Sequence, residues 1–496
     1  MNRGPMRFSG AHKGNPQDHR KPPVGSAGCR AVATSPRYGS KDLAIVHDNL
    51  KREPAQAALP LANARDPQRI VAWRHGKAVS AARFLAHVEQ AAALLPEAPA
   101  AVNLCEDRYA FLVAFCALAC RGQANLLPPS RAPQAVEEVM AAHPGSYALG
   151  ELALSPAPHG YRKLPAFHDD VDAASTGVPT IPADQPVAIG YTSGSTGTPR
   201  ANAKSWRNLR ASSAGTLAML GAVAGGRFNV VATVPPQHIY GIEMSVLLPL
   251  LGDVGVHAGR PFFPADVAAA LAEVPAPRVL VTTPVHLRAL VAAGTPLPPL
   301  AAMLSATAPM SPELARAAEQ AFGAPLLEVF GSTETCAFAS RRVTADADWT
   351  LFDDVRLHPQ PDGTLVEAPQ LDAPVVLADI VSLHDEGRRF RLCGRNTDLL
   401  EIAGKRASLG DLTRRLLAIP GVQDGTVFQL DEADATGVRR IAALAVAPAL
   451  TEAAILDALR RAVDPVFLPR PLRRVHALPR NDTGKLPRAA LLALLG

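Results

Sequence analysis

Residues 187–200 read Val-Ala-Ile-Gly-Tyr-Thr-Ser-Gly-Ser-Thr-Gly-Thr-Pro-Arg. Val187 to Tyr191 is a short apolar run of the kind that fills a buried strand. Between it and Pro199 lie five hydroxyl residues, Thr192, Ser193, Ser195, Thr196 and Thr198, interleaved with Gly194 and Gly197. A strand would waste those hydroxyls, and the Gly and Pro residues would break a helix. A loop of exposed backbone N–H groups and hydroxyl donors directly after a strand is an anion cradle. It is not a Walker loop, because no Lys-Ser/Thr pair follows the last glycine at the right spacing.

The flanking sequence alternates between strand and helix patterns. Ile70 to Gly76 predicts a short hairpin, Ala81 to Leu95 an amphipathic helix, Ala101 to Leu104 a strand, and Tyr109 to Arg121 an apolar helix. Further buried strands are expected at Phe228 to Val234, Arg278 to Thr283, Ala302 to Ser305 and Leu326 to Phe330. Such alternation implies an α/β fold with mainly parallel sheets. Beyond Arg395 the texture changes to a helix at Leu409 to Ala418, strands at Gly425 to Leu430 and Ile441 to Val446, a helix at Ala453 to Val463 and a strand at Arg473 to Ala477. That predicts a large domain over 42–393, a hinge at 394–398 and a small, mobile α+β domain over 399–496.

Composition narrows the function classes. With 48% hydrophobic and 19% charged residues, the 496-residue chain has ample material for buried cores. No apolar run approaches the length of a membrane span; Tyr109 to Cys120 stops at Arg121. The net charge of +5 would hint at a nucleic-acid partner, but eight basic residues and one acid fall within 1–41. The rest holds 42 basic against 44 acidic residues, a net of −2. The basic excess therefore belongs to a Gly/Pro-rich segment read as a disordered extension. Six cysteines without a Cys-x-x-Cys pair read as small core residues, and no signal peptide is evident, so a reducing cytoplasm is the expected compartment.

Further motifs follow the 192–200 loop in order. They are Pro235-Pro236-Gln237-His238-Ile239-Tyr240-Gly241, Ser305-Ala306-Thr307-Ala308-Pro309, Phe330-Gly331-Ser332-Thr333-Glu334, Ala378-Asp379, Gly394-Arg395, and Pro479-Arg480-Asn481-Asp482-Thr483-Gly484-Lys485. Together they resemble the adenylate-forming (AMP-binding) superfamily of acyl- and aryl-CoA synthetases, luciferases and nonribosomal adenylation domains. Taken singly, Glu334 would be a surface carboxylate, Asp379 a turn residue and Lys485 a solvated lysine. The ordered set reverses those readings, while His238 stays evenly balanced between a packed and a pocket residue.

The resemblance implies an adenylate-forming fold and a role for each position. A carboxylate attacks the α-phosphate of ATP, and a thiol then displaces AMP from the acyl-adenylate. Thr192, Ser193, Gly194, Ser195, Thr196, Gly197 and Arg200 would hold the ATP phosphates. Glu334, with the Thr192 hydroxyl, suits Mg²⁺ as a hard oxygen ligand. Ala306, Thr307, Ala308, Phe330, Gly331, Ser332, Thr333, Asp379 and Arg395 would surround adenosine, Phe330 offering a ring face and Asp379 accepting from the ribose hydroxyls. His238, Tyr240 and Gly241 would border the acid, and Lys485 would bridge the α-phosphate and acyl oxygens as a point charge. Thr397 or Asp398 would be the pivot of the hinge.

Several positions depart from the family pattern. Pro199-Arg200-Ala201 replaces Pro-Lys-Gly, with Lys204 a candidate to share the charge. Phe330 replaces a tyrosine, and Ala306 and Thr307 stand where glycines are usual. The hinge reads Gly394-Arg395-Asn396-Thr397-Asp398-Leu399-Leu400-Glu401 against Gly-Arg-x-Asp-Asp-x-Ile-Lys, which bears most on thioester formation. In overall character the chain looks most like stand-alone ligases of aryl-polyene and xanthomonadin-type pigment clusters, which load a 4-hydroxybenzoate-like acid onto the phosphopantetheine thiol of an acyl carrier protein. A CoA ligase for an aryl or fatty acid is the alternative. A basic patch of Arg470, Arg473, Arg474 and Arg480 would suit either acceptor. A non-catalytic binding protein of this fold would be expected to lack Glu334 or Lys485, and a nucleic-acid role would rest on residues 1–41 alone.

Overall fold

A computed structural model of the chain describes residues 57–63, 65–168, 177–192, 200–360, 363–395, 399–402, 405–433, 439–481 and 486–495. The segment 1–41, the loop 193–199, Thr397, Asp398 and Lys485 lie outside the described residues. Two sheets organise the large unit. The first has six strands, ordered Arg200–Ser205, Pro186–Thr192, Ala124–Leu127, Ala100–Asn103, Tyr147–Gly150 and Arg162–Lys163. All neighbours are parallel except the Pro186–Thr192/Arg200–Ser205 hairpin.

The second sheet has eleven strands and a parallel centre of six: Leu326–Ser332, Ala302–Ser305, Arg278–Thr282, Phe228–Ala232, Val254–His257 and Ile70–Arg74. Its margins are antiparallel. Lys77–Ser80 closes one side, and Cys336–Arg342, Trp349–Leu351, Arg389–Arg395 and Asp379–His384 extend the other. The sheets are therefore mixed rather than parallel throughout. The reason is local: short connections can join only antiparallel neighbours, whereas parallel ones need a crossover. The Ile70–Arg74/Lys77–Ser80 hairpin turns at His75 and Gly76, both with positive φ (49° and 72°), as a two-residue primed turn requires.

The core lies between these layers. Helix Arg108–Cys120 is buried from Arg108 through Ala119, so its sequence shows almost no polar face. Its buried Cys116 has a thiol pushed well above its usual range by desolvation, the behaviour of a core residue. At its first residue the Arg108 guanidinium, lowered to about 9 mainly by burial, donates to the carbonyls of Ala232 and Val234, both at 2.8 Å. This ties the helix to the end of the Phe228–Ala232 strand. No helix among the described residues is long and apolar enough to cross a membrane.

Arg389–Arg395 still belongs to the large sheet, since Gly394 and Arg395 pair with Ile380 and Asp379. The smaller C-terminal region has its own three-stranded sheet, Asp424–Ala433, Arg439–Val446 and Leu472–Arg474. Helices Leu409–Leu417 and Glu452–Ala462 pack an apolar cluster that includes Leu416, Ile441 and Ile455. A second cluster, with Phe428, Leu444 and Leu491, involves helix Arg488–Ala493.

Candidate active site

Several described motif residues stand at strand ends: Thr192 closes Pro186–Thr192, Ala306 follows Ala302–Ser305 and Ser332 closes Leu326–Ser332, the position at which open α/β sheets form ligand crevices. Pro186–Thr192 and Arg200–Ser205 form an antiparallel hairpin in which Arg200 faces Thr192, so residues 193–199 are its connection. The backbone alone describes Thr192, Arg200 and Arg395. The same hairpin reaches a second motif: a Cβ placed on Gly190 would lie 3.1 Å from the Thr333 methyl. The hydroxyl-rich loop is thus rooted beside the segment that carries Glu334.

Glu334 sits, half-buried, on a tight connection between Leu326–Ser332 and Cys336–Arg342. The Ser332 N–H donates to Thr335 Oγ1 at 3.0 Å, and the Thr335 N–H donates back to Ser332 Oγ at 3.2 Å. Each short hydroxyl side chain satisfies the other's backbone, which stiffens the turn. Gly331 is required at its base, since a Cβ there would come within 2.0 Å of the Cys336 carbonyl oxygen. Cys336, at φ 58°, occupies the left-handed region that non-glycine residues seldom adopt. From below, the buried Gln370 amide donates to the carbonyls of Thr335 (3.2 Å) and Ala337 (3.4 Å).

The segment from Pro235 to Gly241 is pinned in a similar way. A Cβ on Gly241 would fall 1.9 Å from the Pro235 carbonyl oxygen, so only glycine lets the chain fold back on itself there. Tyr240 is buried, and its hydroxyl lies 3.2 Å from the carbonyl oxygens of Thr282 and Leu304, to which it donates. Tyr240 anchors the segment to two sheet strands, and desolvation holds its phenol well above the usual range. His238, partly exposed, begins the short Ile239–Ile242 helix.

Ala306, Thr307 and Ala308 follow the Ala302–Ser305 strand, and Thr307 has φ 76°. A β-branched residue in that conformation stores strain of roughly 1–3 kcal/mol, which fits a position where glycine would be at ease. The Phe330 ring packs against Trp349, Phe338 and Phe390, with centroids 5.2, 5.4 and 5.7 Å away. It is half-buried among these rings, an environment its sequence motif does not reveal. Asp379 is buried at the start of Asp379–His384, where the Thr364 hydroxyl donates to its backbone carbonyl at 2.6 Å.

Comparison with known proteins decides the family. The model of the AMP-binding enzyme family matches residues 61–356, more than half of the chain. The chain belongs to the AMP-binding enzyme family. A 4-coumarate–CoA ligase of Rhodobacter capsulatus is 32% identical over 304 residues, covering 60% of this chain and 74% of that protein. A sulfoacetate–CoA ligase of Cupriavidus necator is 27% identical over 390 residues, covering 69% and 72%. In fold, the chain is similar to o-succinylbenzoate CoA synthetase of Bacillus subtilis in complex with its acyl-adenylate intermediate. The TM-score is 0.70 at 17% identity, over 88% of this chain and 98% of that one.

For an AMP-binding enzyme, the fit of Mg²⁺ can be judged from the donor set. The ion keeps much of its water and needs only one or two carboxylates beside substrate phosphates. Glu334, on a turn next to the root of the 193–199 loop, meets that need. Lys204, the candidate to share the Arg200 charge, lies close to that carboxylate's own backbone. It is buried, and its ammonium donates to the Glu334 carbonyl. Sequence reasoning missed Glu243 altogether. Buried at the start of the π-helical turn Glu243–Leu247, its carboxylate accepts the Ala337 N–H at 3.1 and 3.2 Å. Burial raises its pKa to about 7, against the Ala337 N–H, the Ser212 hydroxyl and the Lys204 charge. The basic patch foreseen near Lys485 is largely committed to partners. Arg480 is bidentate on Asp424 (3.1 and 2.9 Å), Arg473 lies 3.8 Å from Glu452, and Arg474 donates to the carbonyls of Ala447 (3.4 Å) and Leu450 (2.6 Å).

Proposed function

We propose that the chain is an AMP-forming acid–thiol ligase that activates an aromatic acid as its acyl-adenylate. One observation carries this reading: the Gly190–Thr333 approach, which sets the hairpin bearing the hydroxyl-rich loop against the turn bearing Glu334. A carboxylate oxygen of the acid attacks the α-phosphorus of ATP, and pyrophosphate leaves with the electrons of the broken P–O bond. Thr192, Ser193, Gly194, Ser195, Thr196, Gly197 and Arg200 hold the phosphates through N–H, hydroxyl and guanidinium donors fixed in advance. Glu334, with the Thr192 hydroxyl, would hold Mg²⁺, which would supply charge neutralisation to the phosphates. Asp379 accepts from the ribose hydroxyls, Phe330 and Ala306 to Ala308 border adenine, and Lys485 steadies the charge that develops around phosphorus.

In the second half-reaction a thiol adds to the acyl carbon and AMP departs, with Thr397 or Asp398 as the pivot that exchanges the two states. The acceptor is a phosphopantetheine thiol. The names of the relatives support CoA, and they also support an aromatic acid, since one is a 4-coumarate–CoA ligase. Loading of a 4-hydroxybenzoate-like acid onto an acyl carrier protein rests on the overall resemblance alone. The test is acid-dependent pyrophosphate release with ATP and Mg²⁺ across benzoates, cinnamates and fatty acids, followed by mass spectrometry of the thioester formed with CoA or a carrier protein. Turnover confined to fatty acids would remove the aromatic assignment.

A further inference from the structure

We propose that Lys204 and Glu243 are positioning residues for adenylation: together they hold the Glu334 turn in register with the hairpin that carries the phosphate loop. The proposal rests on the reading of Glu334 as the residue that faces Mg²⁺ and ATP.

Both side chains are almost fully enclosed, with residue exposures of 5% for Lys204 and 3% for Glu243. Charges are seldom placed so deeply without a partner, because desolvation is costly. Here the partners are backbone groups on either side of one turn. The Lys204 ammonium donates to the carbonyl of Glu334 itself, and the Glu243 carboxylate accepts the N–H of Ala337, three residues further on. Between those points lies Cys336 at φ 58°, a conformation that persists only when its surroundings enforce it. The Lys204 charge also favours the ionised form of Glu243, so the two residues act in one electrostatic field.

Their positions in the chain give the pair its meaning. Lys204 is on Arg200–Ser205, the second strand of the hairpin whose connection is 193–199. Glu243 opens a π-helical turn two residues after Gly241, where the acid-side segment folds over Pro235. Single π turns are rare and often mark functional sites. Two buried polar side chains thereby connect the phosphate hairpin, the acid-side segment and the Glu334 turn. Apolar side chains would fill the same volume and often stabilise as well as a buried charge pair. What they lack is direction: hydrogen bonds to a particular carbonyl and a particular N–H fix where the turn sits, and misplacement by about 1 Å can cost ~10²-fold in rate.

The experiment compares Lys204→Met, Lys204→Arg, Glu243→Gln and the doubly apolar Lys204→Met/Glu243→Leu with the wild type. Readouts are acid-dependent ATP–pyrophosphate exchange, KM for MgATP and for the acid, and thermal melting. The double variant leaves no uncompensated buried charge, so it is expected to fold. We expect it to lose ~10²-fold in exchange kcat, with a raised KM for MgATP, an unchanged KM for the acid, and a cooperative melt. Lys204→Arg is expected to recover part of the activity that Lys204→Met loses. Wild-type exchange in the double variant would overturn the proposal, as would its failure to fold, since the charges would then be structural. Glu334→Gln and Lys485→Ala run in parallel keep the two claims apart. If these retain full exchange, the reading of the site fails; if they lose it while the double variant does not, only the positioning role fails.

Discussion

Replacing Gly331 by Ala adds a single methyl at the base of the Glu334 turn. That carbon would stand 2.0 Å from the Cys336 carbonyl oxygen, 2.7 Å from its carbonyl carbon and 2.8 Å from the Ala337 Cα. An ordinary carbon–oxygen contact is about 3.3 Å, so the two backbone segments must separate by roughly 1.3 Å. All three obstructing atoms are main chain, leaving no flexible side chain to absorb the shift. Overpacking of this kind costs about 1–3 kcal/mol, which a unit of this size survives. The catalytic cost is larger, because displacement of Glu334 by about 1 Å is expected to lower adenylation ~10²-fold. Gly190→Ala is the internal comparison, since its new methyl meets only the Thr333 methyl at 3.1 Å and a side chain can yield. Acid-dependent ATP–pyrophosphate exchange and a melting curve on both variants give the answer. Wild-type exchange in a folded Gly331→Ala protein would refute the claim that the geometry of this turn governs activity.

Other outcomes follow from the same geometry. Lys485→Ala should lower adenylation by 10²–10³-fold, about the loss of one preorganised donor, as measured by pyrophosphate release. Tyr240→Phe should cost about 1 kcal/mol of stability in denaturant melts and leave the exchange rate near wild type, because the hydroxyl serves the Thr282 and Leu304 carbonyls. Glu243 should make the fold pH-sensitive. With its pKa raised from 4.5 to about 7, its contribution is fully present below 4.5, declines as pH rises towards 7 and is flat above, a span of about 3 kcal/mol. Denaturant midpoints from pH 5 to 8 should show this component in the wild type and lack it in Glu243→Gln.

Much of the fold was legible because its central strands are continuous apolar runs closed by turns. Ala302–Ser305 has the predicted bounds, and Phe228–Ala232 and Arg278–Thr282 differ from expectation only by a residue or two at one end. Such runs can only be buried, and helical patterns between them enforce parallel pairing. The segment that carries Glu334 was reached through the resemblance of Phe330-Gly331-Ser332-Thr333-Glu334 to a family motif rather than through composition, and residues 193–199 lie outside the described residues. The burial of Lys204 and Glu243 was not legible. Lys204 entered only as a candidate to share the Arg200 charge, and nothing in the run around Glu243 marks it for burial. Their burial depends on a turn about 90 to 130 residues away in sequence. The surroundings of Phe330 were hidden for the same reason: Trp349 and Phe390 reach it through the antiparallel extension of the sheet, which pattern reading did not foresee.

The central claim is that this constellation makes an acyl-adenylate, and ATP–pyrophosphate exchange measured with no thiol present tests it most directly. The account predicts exchange that requires Mg²⁺ and an aromatic acid such as 4-hydroxybenzoate or 4-coumarate, and that collapses in Glu334→Gln and Lys485→Ala. Exchange that persists undiminished in both variants, or is absent across benzoates, cinnamates and fatty acids alike, would contradict it.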